Sequence, residues 1–258
     1  MSGGTTDAPT AEQRGPVRHH RVSGLYNLRD TGGYRAGDAT SRWGKLFRSD
    51  ALHRIDEEGR ARLADLGVAH VVDLRGGDER LTAPSALDGL AARVHHLPVF
   101  DDAAPARQAG ARIGLAEVYD HMVDERGAHL ASAIRVIAEA GDDEAVLVHC
   151  TAGKDRTGLV VAFALLAAGV DRDEVVADYA ATSANLAGEW ADAMLTAFTG
   201  RGQELTPEIV ELVTASPAPV MEAVLERIDH EHGSIREYLR RQGLTDGELD
   251  RLTRALVG

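Results

Sequence analysis

The sequence predicts an α/β fold in which a central, mostly parallel sheet of about four to five strands is flanked by helices. Three observations predict it. Two short runs, Val68 to Leu74 (VAHVVDL) and Glu144 to His149 (EAVLVH), have the near-continuous apolarity of strands buried on both faces. Segments with apolar residues at helical spacing lie between them. The second run passes through a tight, glycine-containing loop straight into an apolar helical stretch, Gly158 to Ala168 (GLVVAFALLAA), which is the strand, loop, helix order of parallel units.

Taken in order, residues 1–18 are rich in Gly, Thr, Pro and charge without periodicity, and are expected to be a flexible tail. Residues 19–258 are expected to form a single domain, since a chain of 258 residues fits one large domain better than two. A helix is expected between Ile55 and Gly67, with Asp56 as its N-cap and Gly67 as its close. Arg93 to Val99 (RVHHLPV) reads as a further strand. Leu115 to Glu125 and Ala128 to Ala140 read as helices, the latter with Leu130, Ile134 and Ile137 on one face. Beyond Gly169 the chain reads as all helix, with capping boxes at Asp171 with Glu174, Ser234 with Glu237 and Thr245 with Glu248, and a helix start at Pro207 after Thr206. Leu186, Trp190, Met194 and Phe198 recur at fourfold spacing, a stripe that reads first as core and second as the face of a lid.

Composition narrows the function. A formal net charge of −13 argues against general affinity for nucleic acid or anionic membrane, both of which need clustered positive charge. With 1 cysteine there is no intrachain disulfide, no cysteine zinc cage and no CxxC redox pair. The start, MSGGTTDAPT, lacks the pattern of a signal peptide, and no run approaches the roughly 18 apolar residues of a membrane span. A cytoplasmic protein without stable membrane insertion is therefore expected, with export by another route and the oligomeric state left open.

The solitary thiol falls in the most informative segment, His149-Cys150-Thr151-Ala152-Gly153-Lys154-Asp155-Arg156-Thr157-Gly158. Hydrolysis of a phosphomonoester through cysteine needs an ionised thiol and donors around the equatorial phosphoryl oxygens. A thiol at a strand end, ahead of a helix N-terminus, sits where backbone N–H groups and the helix dipole favour negative charge. If the loop curls around a phosphate, the N–H groups from Thr151 through Ala152, Gly153, Lys154 and Asp155 to Arg156 point inward, and Gly153 permits the backbone angle this needs. Arg156 then offers a planar fork to two oxygens. Thr157 can place its hydroxyl against the sulfur and ease its departure in a second step. His149 is expected to hold loop backbone rather than act as a base. A nucleotide-binding reading of Gly153-Lys154 fails, because no glycine occupies position 148 and Asp155 follows the lysine.

These residues resemble the His-Cys, five-residue, Arg, Ser/Thr signature of protein tyrosine and dual-specificity phosphatases. Together with NLRDTGG (27–33), FRS (47–49) and DLR (73–75), the segment resembles a bacterial tyrosine phosphatase family that also accepts phosphoserine, phosphothreonine and phosphoinositides. The resemblance runs from about residue 22 to the C-terminus. It implies a dual-specificity-like α/β fold, a two-step mechanism with a phosphocysteine intermediate and no metal or other cofactor, and an added helical region over about 171–232 as a lid that shields the thiolate from oxidants.

The leaving oxygen needs a proton. Asp101 and Asp102 follow the expected strand at the position where related phosphatases carry their acid, and Asp73 ends the buried run before Leu74-Arg75; a solvated turn or a bracing hydrogen bond suits each as well. Asp155 is read equally as a proton carrier or as an orienter of the loop. Lys154 suits a polyphosphorylated headgroup, or only offsets Asp155. Arg29, Asp30, Arg48 and Arg75 read as braces before site residues. The expected function is a phosphatase acting on phosphorylated protein, with phosphoinositides or another small phosphomonoester as the alternative substrate and a catalytically silent phospho-partner module as the alternative class.

Overall fold

The computed structural model describes residues 16–100, 114–200, 202 and 204–258. Most of the expected N-terminal tail, together with Asp101 and Asp102, lies outside these. Among the described residues a sheet of order β1-β4-β7-β5-β6 forms the centre, built from β1 (Arg29–Asp30), β4 (Leu46–Ser49), β5 (Val68–Asp73), β6 (Arg93–His96) and β7 (Ala145–His149). β1 pairs antiparallel at one edge and the other pairings are parallel. A separate two-stranded hairpin joins β2 (Arg35–Ala36) to β3 (Ala39–Thr40).

Alternation along the central strands sends side chains to two covered faces. Val72, Val146 and Val148 belong to one core cluster with residues of α4 (Gly127–Glu139), α5 (Asp155–Ala168) and α11 (Asp246–Leu256). Val71 and Leu147 point the other way, into a cluster with Leu28, Phe47 and Leu63, the last on α1 (Glu57–Asp65). Such double coverage is what lets these strands be apolar throughout.

The expected elements recur with shifted ends. α1 has Asp56 as its N-cap, accepting from the Gly59 N–H, and β5 stops at Asp73. β6 stops at His96, short of Val99, because Pro98 has no N–H to donate to a ladder. α5 begins at Asp155 rather than Gly158, so Arg156 and Thr157 ride on its first turn. After α2 (Gly77–Thr82) and α3 (Leu115–Glu125), the later helices are α6 (Arg172–Leu186), α7 (Glu189–Thr199), α8 (Pro207–Thr214), α9 (Ala218–His232) and α10 (Ile235–Arg241). The full reciprocal box forms at Thr245 with Glu248, while Ser234 caps the Glu237 N–H. At Asp171 no side-chain cap forms; its N–H donates to the Arg35 carbonyl and its carboxylate lies 3.7 Å from Arg35.

The parallel register decides where chemistry can gather. Ser49 and Asp73 both pair with His149 at the C-terminal ends of β4, β5 and β7, so the three following loops converge at one edge. Crevices outside the carboxyl ends of parallel strands are where open α/β sheets place ligands.

Candidate active site

The loop from Cys150 to Arg156 is held open from outside. Asn27 Nδ2 donates to the carbonyls of Ala152 and Gly153 at 3.1 and 3.2 Å, Arg48 donates to Gly153 O at 2.8 Å, and the Ala51 N–H donates to Thr151 O at 3.1 Å. In a planar trans peptide the N–H lies opposite the carbonyl, so pinning these oxygens outward turns the N–H groups of residues 152, 153 and 154 toward the interior. That is the cradle an oxyanion requires.

Gly153 is where the curl is tightest. Its φ is +65°, and a Cβ there would lie 2.3 Å from the Ser49 carbonyl oxygen. Gly153→Ala is therefore expected to push the loop off β4 and cut kcat/KM by roughly a hundredfold, since displacement of about 1 Å at a reacting centre has that effect. A steady-state assay on an aryl phosphate checks it.

The braces themselves rest on α6. Asp178 is buried and accepts from Arg29 Nε at 2.9 Å, Arg48 at 2.5 Å and the Tyr34 hydroxyl at 2.8 Å. Burial alone would raise the Asp178 carboxyl, but Arg29 and Arg48 outweigh it and hold it far below the usual carboxylate range. Arg29 also bonds Asn27 and Thr182, and Asn185 donates to Asn27 Oδ1 at 3.1 Å. Arg29 and Arg48 are thus braces of the loop, whereas Asp30 accepts from the Gly32 and Gly44 N–H groups and holds its own turn.

Cys150 is 2% exposed, with Arg156 beside it. Arg156 donates to both carboxylate oxygens of Glu79 at 2.6 and 2.9 Å, and the Thr151 hydroxyl closes the same group. Burial opposes the charge of Arg156, yet the Cys150 sulfur and Glu79 more than offset it and hold the guanidinium above its ordinary value. Glu79 is driven down to about 2, its burial outweighed chiefly by the bonds to Arg156. Glu79 also accepts from the Gly76 N–H at the start of α2, so Arg156 is fixed to that turn. Arg75 secures that turn, bonding Asp73 through Nε at 2.9 Å, Ala83 O at 2.7 Å and Ser85 at 2.9 Å.

Of the other expected site residues, Thr157 is fully buried and its hydroxyl has no hydrogen-bond partner among the described residues. His149 Nδ1 lies 3.3 Å from Cys150 O, and burial pushes its ring down to about 4, so it is neutral near pH 7. Asp73 is 1% exposed, with both carboxylate oxygens engaged by Arg75. Asp155 accepts from Tyr119 at 3.0 Å and pairs with Lys154 at 2.9 Å. The Lys154 ammonium also donates to Leu212 O at 3.0 Å and Ala215 O at 2.8 Å, capping the C-terminus of α8. A cavity of about 520 Å³ lies between loop and helices, with Cys150 and Arg156 on one wall and Trp190, Met194, Phe198 and Leu212 on another. Of the apolar stripe, Leu186 and Trp190 are buried, as expected of core, while Trp190 also lines this cavity together with the half-buried Met194 and Phe198, Gly188 having broken the chain into two helices. Among the described residues no group of three or more His, Cys, Asp or Glu side chains is placed to hold a metal ion, and no helix is long and apolar enough to cross a membrane.

Glu79 and Asp178 are parts of the site that the sequence reading does not include. Glu79 and Asp178 meet their arginines from 77 and 149 residues away, a relation no local pattern records.

The profile described as the tyrosine phosphatase family matches residues 20–258. The triple specificity protein phosphatase PtpB of Mycobacterium tuberculosis is 33% identical over 92% of this chain and 98% of that protein. A tyrosine-protein phosphatase of Nostoc commune is 30% identical over 80% of this chain and 72% of its own. The crystal structure of P. aeruginosa TpbA matches with 23% identity and a TM-score of 0.37, over 65% of this chain and 85% of that one.

Proposed function

The chain belongs to this tyrosine phosphatase family and is a phosphoric monoester hydrolase, and on that footing we propose that Cys150 attacks phosphorus while Arg156 and the loop N–H groups hold the phosphoryl oxygens. The observation that carries the reading is the outward pinning of the loop carbonyls by Asn27, Arg48 and Ala51, which prepares an anion cradle directly behind Cys150. Thr157 keeps a buried hydroxyl free to donate to the sulfur when it leaves. Phosphorylated protein is the substrate class, phosphotyrosine first. The triple specificity that the Mycobacterium relative's name states supports a broader range for this chain too. Rapid acid quench of the enzyme with a labelled aryl phosphate should trap one phosphoryl group on Cys150; label that never becomes covalent would remove the proposal.

Two helices complete the reading. α7 and α8 act as a lid, with Lys154 as its fastening to the loop. All the protons of Lys154 are engaged by Leu212, Ala215 and Asp155, so a second phosphate, as on a phosphoinositide, must displace the α8 carbonyls to reach it. Lys154→Met is expected to raise the rate of Cys150 alkylation by iodoacetamide about tenfold, the equivalent of one or two lost hydrogen bonds. The same variant compared on phosphopeptides and phosphoinositides shows whether Lys154 also reads the headgroup.

A further inference from the structure

A second cavity, of about 250 Å³, adjoins the catalytic one. Arg75 lines both, and α2 is their shared wall: Glu79 lines the catalytic side, where it holds Arg156, and the next residue, Arg80, lines the other. There Arg80, His96, Leu87 and Val94 surround the buried pair Asp73 and Arg75. The two arginines differ in what they have left to give. Arg75 spends its guanidinium on Asp73, the Ala83 carbonyl and Ser85. Arg80 makes no side-chain hydrogen bond among the described residues. Its Nε lies 4.0 Å from Asp73 Oδ2, an oxygen already taken by Arg75, and its side chain is 37% exposed. Burial, and then the charge of Arg80, hold the His96 ring below its ordinary value against the pull of Asp73. In a chain of net charge −13 this pocket keeps an unspent cation.

Strand register fixes the distance of this pocket from the nucleophile. His96 pairs with Asp73, and Asp73 with His149, the residue before Cys150, so the ends of β6, β5 and β7 stand in one row. Neighbouring strands are about 4.8 Å apart, which puts the end of β6 about 10 Å from the end of β7. An extended peptide covers that span in about three residues, at roughly 3.3 Å each. We propose that the pocket of Arg80 and His96 is a specificity subsite for an acidic side chain, Asp or Glu, about three or four residues from the phosphorylated residue of a protein substrate. The carboxylate pairs with the Arg80 guanidinium, whose donors have no other partner, and accepts from the His96 ring, while Leu87 and Val94 pack on the methylene stem. The inference rests on phosphorylated protein being the substrate class and leaves the chemistry at Cys150 as it stands.

The test uses the full chain and phosphotyrosine peptides that carry Glu, Ala or Lys three or four residues to either side of the phosphotyrosine, with phenyl phosphate as a substrate too short to reach the pocket. Wild type should prefer the best-placed Glu peptide over its Ala counterpart by about fivefold in kcat/KM, chiefly through KM, which is the upper worth of one partly exposed ion pair. Arg80→Gln should erase that preference, and Arg80→Glu should turn it toward the Lys peptide. Both variants should turn over phenyl phosphate within about twofold of wild type, which also shows that they are folded. Raising salt to about 1 M should shrink the wild-type preference, as it does for any solvent-exposed pair. Equal rates on Glu and Ala peptides at every position in wild type, or a preference for Glu that survives in Arg80→Glu, overturns the subsite. Turnover of phenyl phosphate with none of any phosphopeptide would instead bring down the substrate class on which the subsite rests.

Discussion

Cys150→Ser is expected to abolish turnover, by about 10⁴-fold or more, while leaving binding of a phosphopeptide within a few fold of wild type. The reason is local. The site supplies stabilisation for an anion on sulfur, through Arg156 and the inward N–H groups, while His149, Glu79 and Asp155 are not available to ionise a hydroxyl in its place. His149 is neutral and its ring is spent on backbone, and the carboxylates of Glu79 and Asp155 are spent on cations. A serine at 150 therefore stays protonated, and an alcohol at the centre of the cradle is a poor nucleophile. The cradle itself is assembled from carbonyls pinned by Asn27, Arg48 and Ala51, none of which touches the thiol, so the phosphoryl group should still dock. Single-turnover kinetics and calorimetric titration with the same phosphotyrosine peptide separate the two effects. Turnover within tenfold of wild type would rule out Cys150 as nucleophile, and simultaneous loss of binding would show that the sulfur is needed to form the cradle.

The sequence disclosed this part of the site because its members are neighbours. Cys150 and Arg156 lie in one loop, and the β-branched strand before it and the apolar helix after it are both visible in local periodicity. The braces were less legible. β4 is buried at every position yet contains Arg48 and Ser49, so its composition conceals a central strand behind what reads as a charged motif. Those polar side chains are there because the strand must hold the loop as well as fill the core. The stripe of Leu186, Trp190, Met194 and Phe198 is ambiguous for a related reason: apolar spacing reports that a face is covered, not whether core or a cavity covers it. Glu79 was invisible because a helix of six residues in a loop reads as solvated charge, and only the fold brings it to Arg156. The pairing of Lys154 with Asp155 is one of the two readings its neighbour suggests, but its hold on α8 depends on a helix end about sixty residues away.

Asp178→Ala is expected to have the largest effect on stability. Two guanidiniums, Arg29 and Arg48, are buried against one carboxylate, at 2% and 0% exposure. Removing that carboxylate leaves like charges facing one another without solvent, and breaking a buried pair in this way costs about 3–5 kcal/mol. For a chain of this size that is a fall of roughly 6–20 °C in Tm. Acid provides an independent check whose sign is set by the ion triad. The folded Asp178 lies far below its value of about 3.9 in an unfolded chain, so the stability it contributes is complete above that pH and is lost as pH falls toward the folded value. The gap in stability between wild type and variant should thus be constant from pH 7 down to about 5 and should narrow below about 4. Catalysis should fail before the fold does, because Arg48 and Asn27 reach the loop only while Asp178 and Arg29 hold them in place. Denaturant titrations at several pH values, run beside an activity assay at the same temperatures, would show activity lost at a lower temperature than tertiary structure; a variant as stable and as active as wild type would mean that α6 does not anchor the catalytic loop.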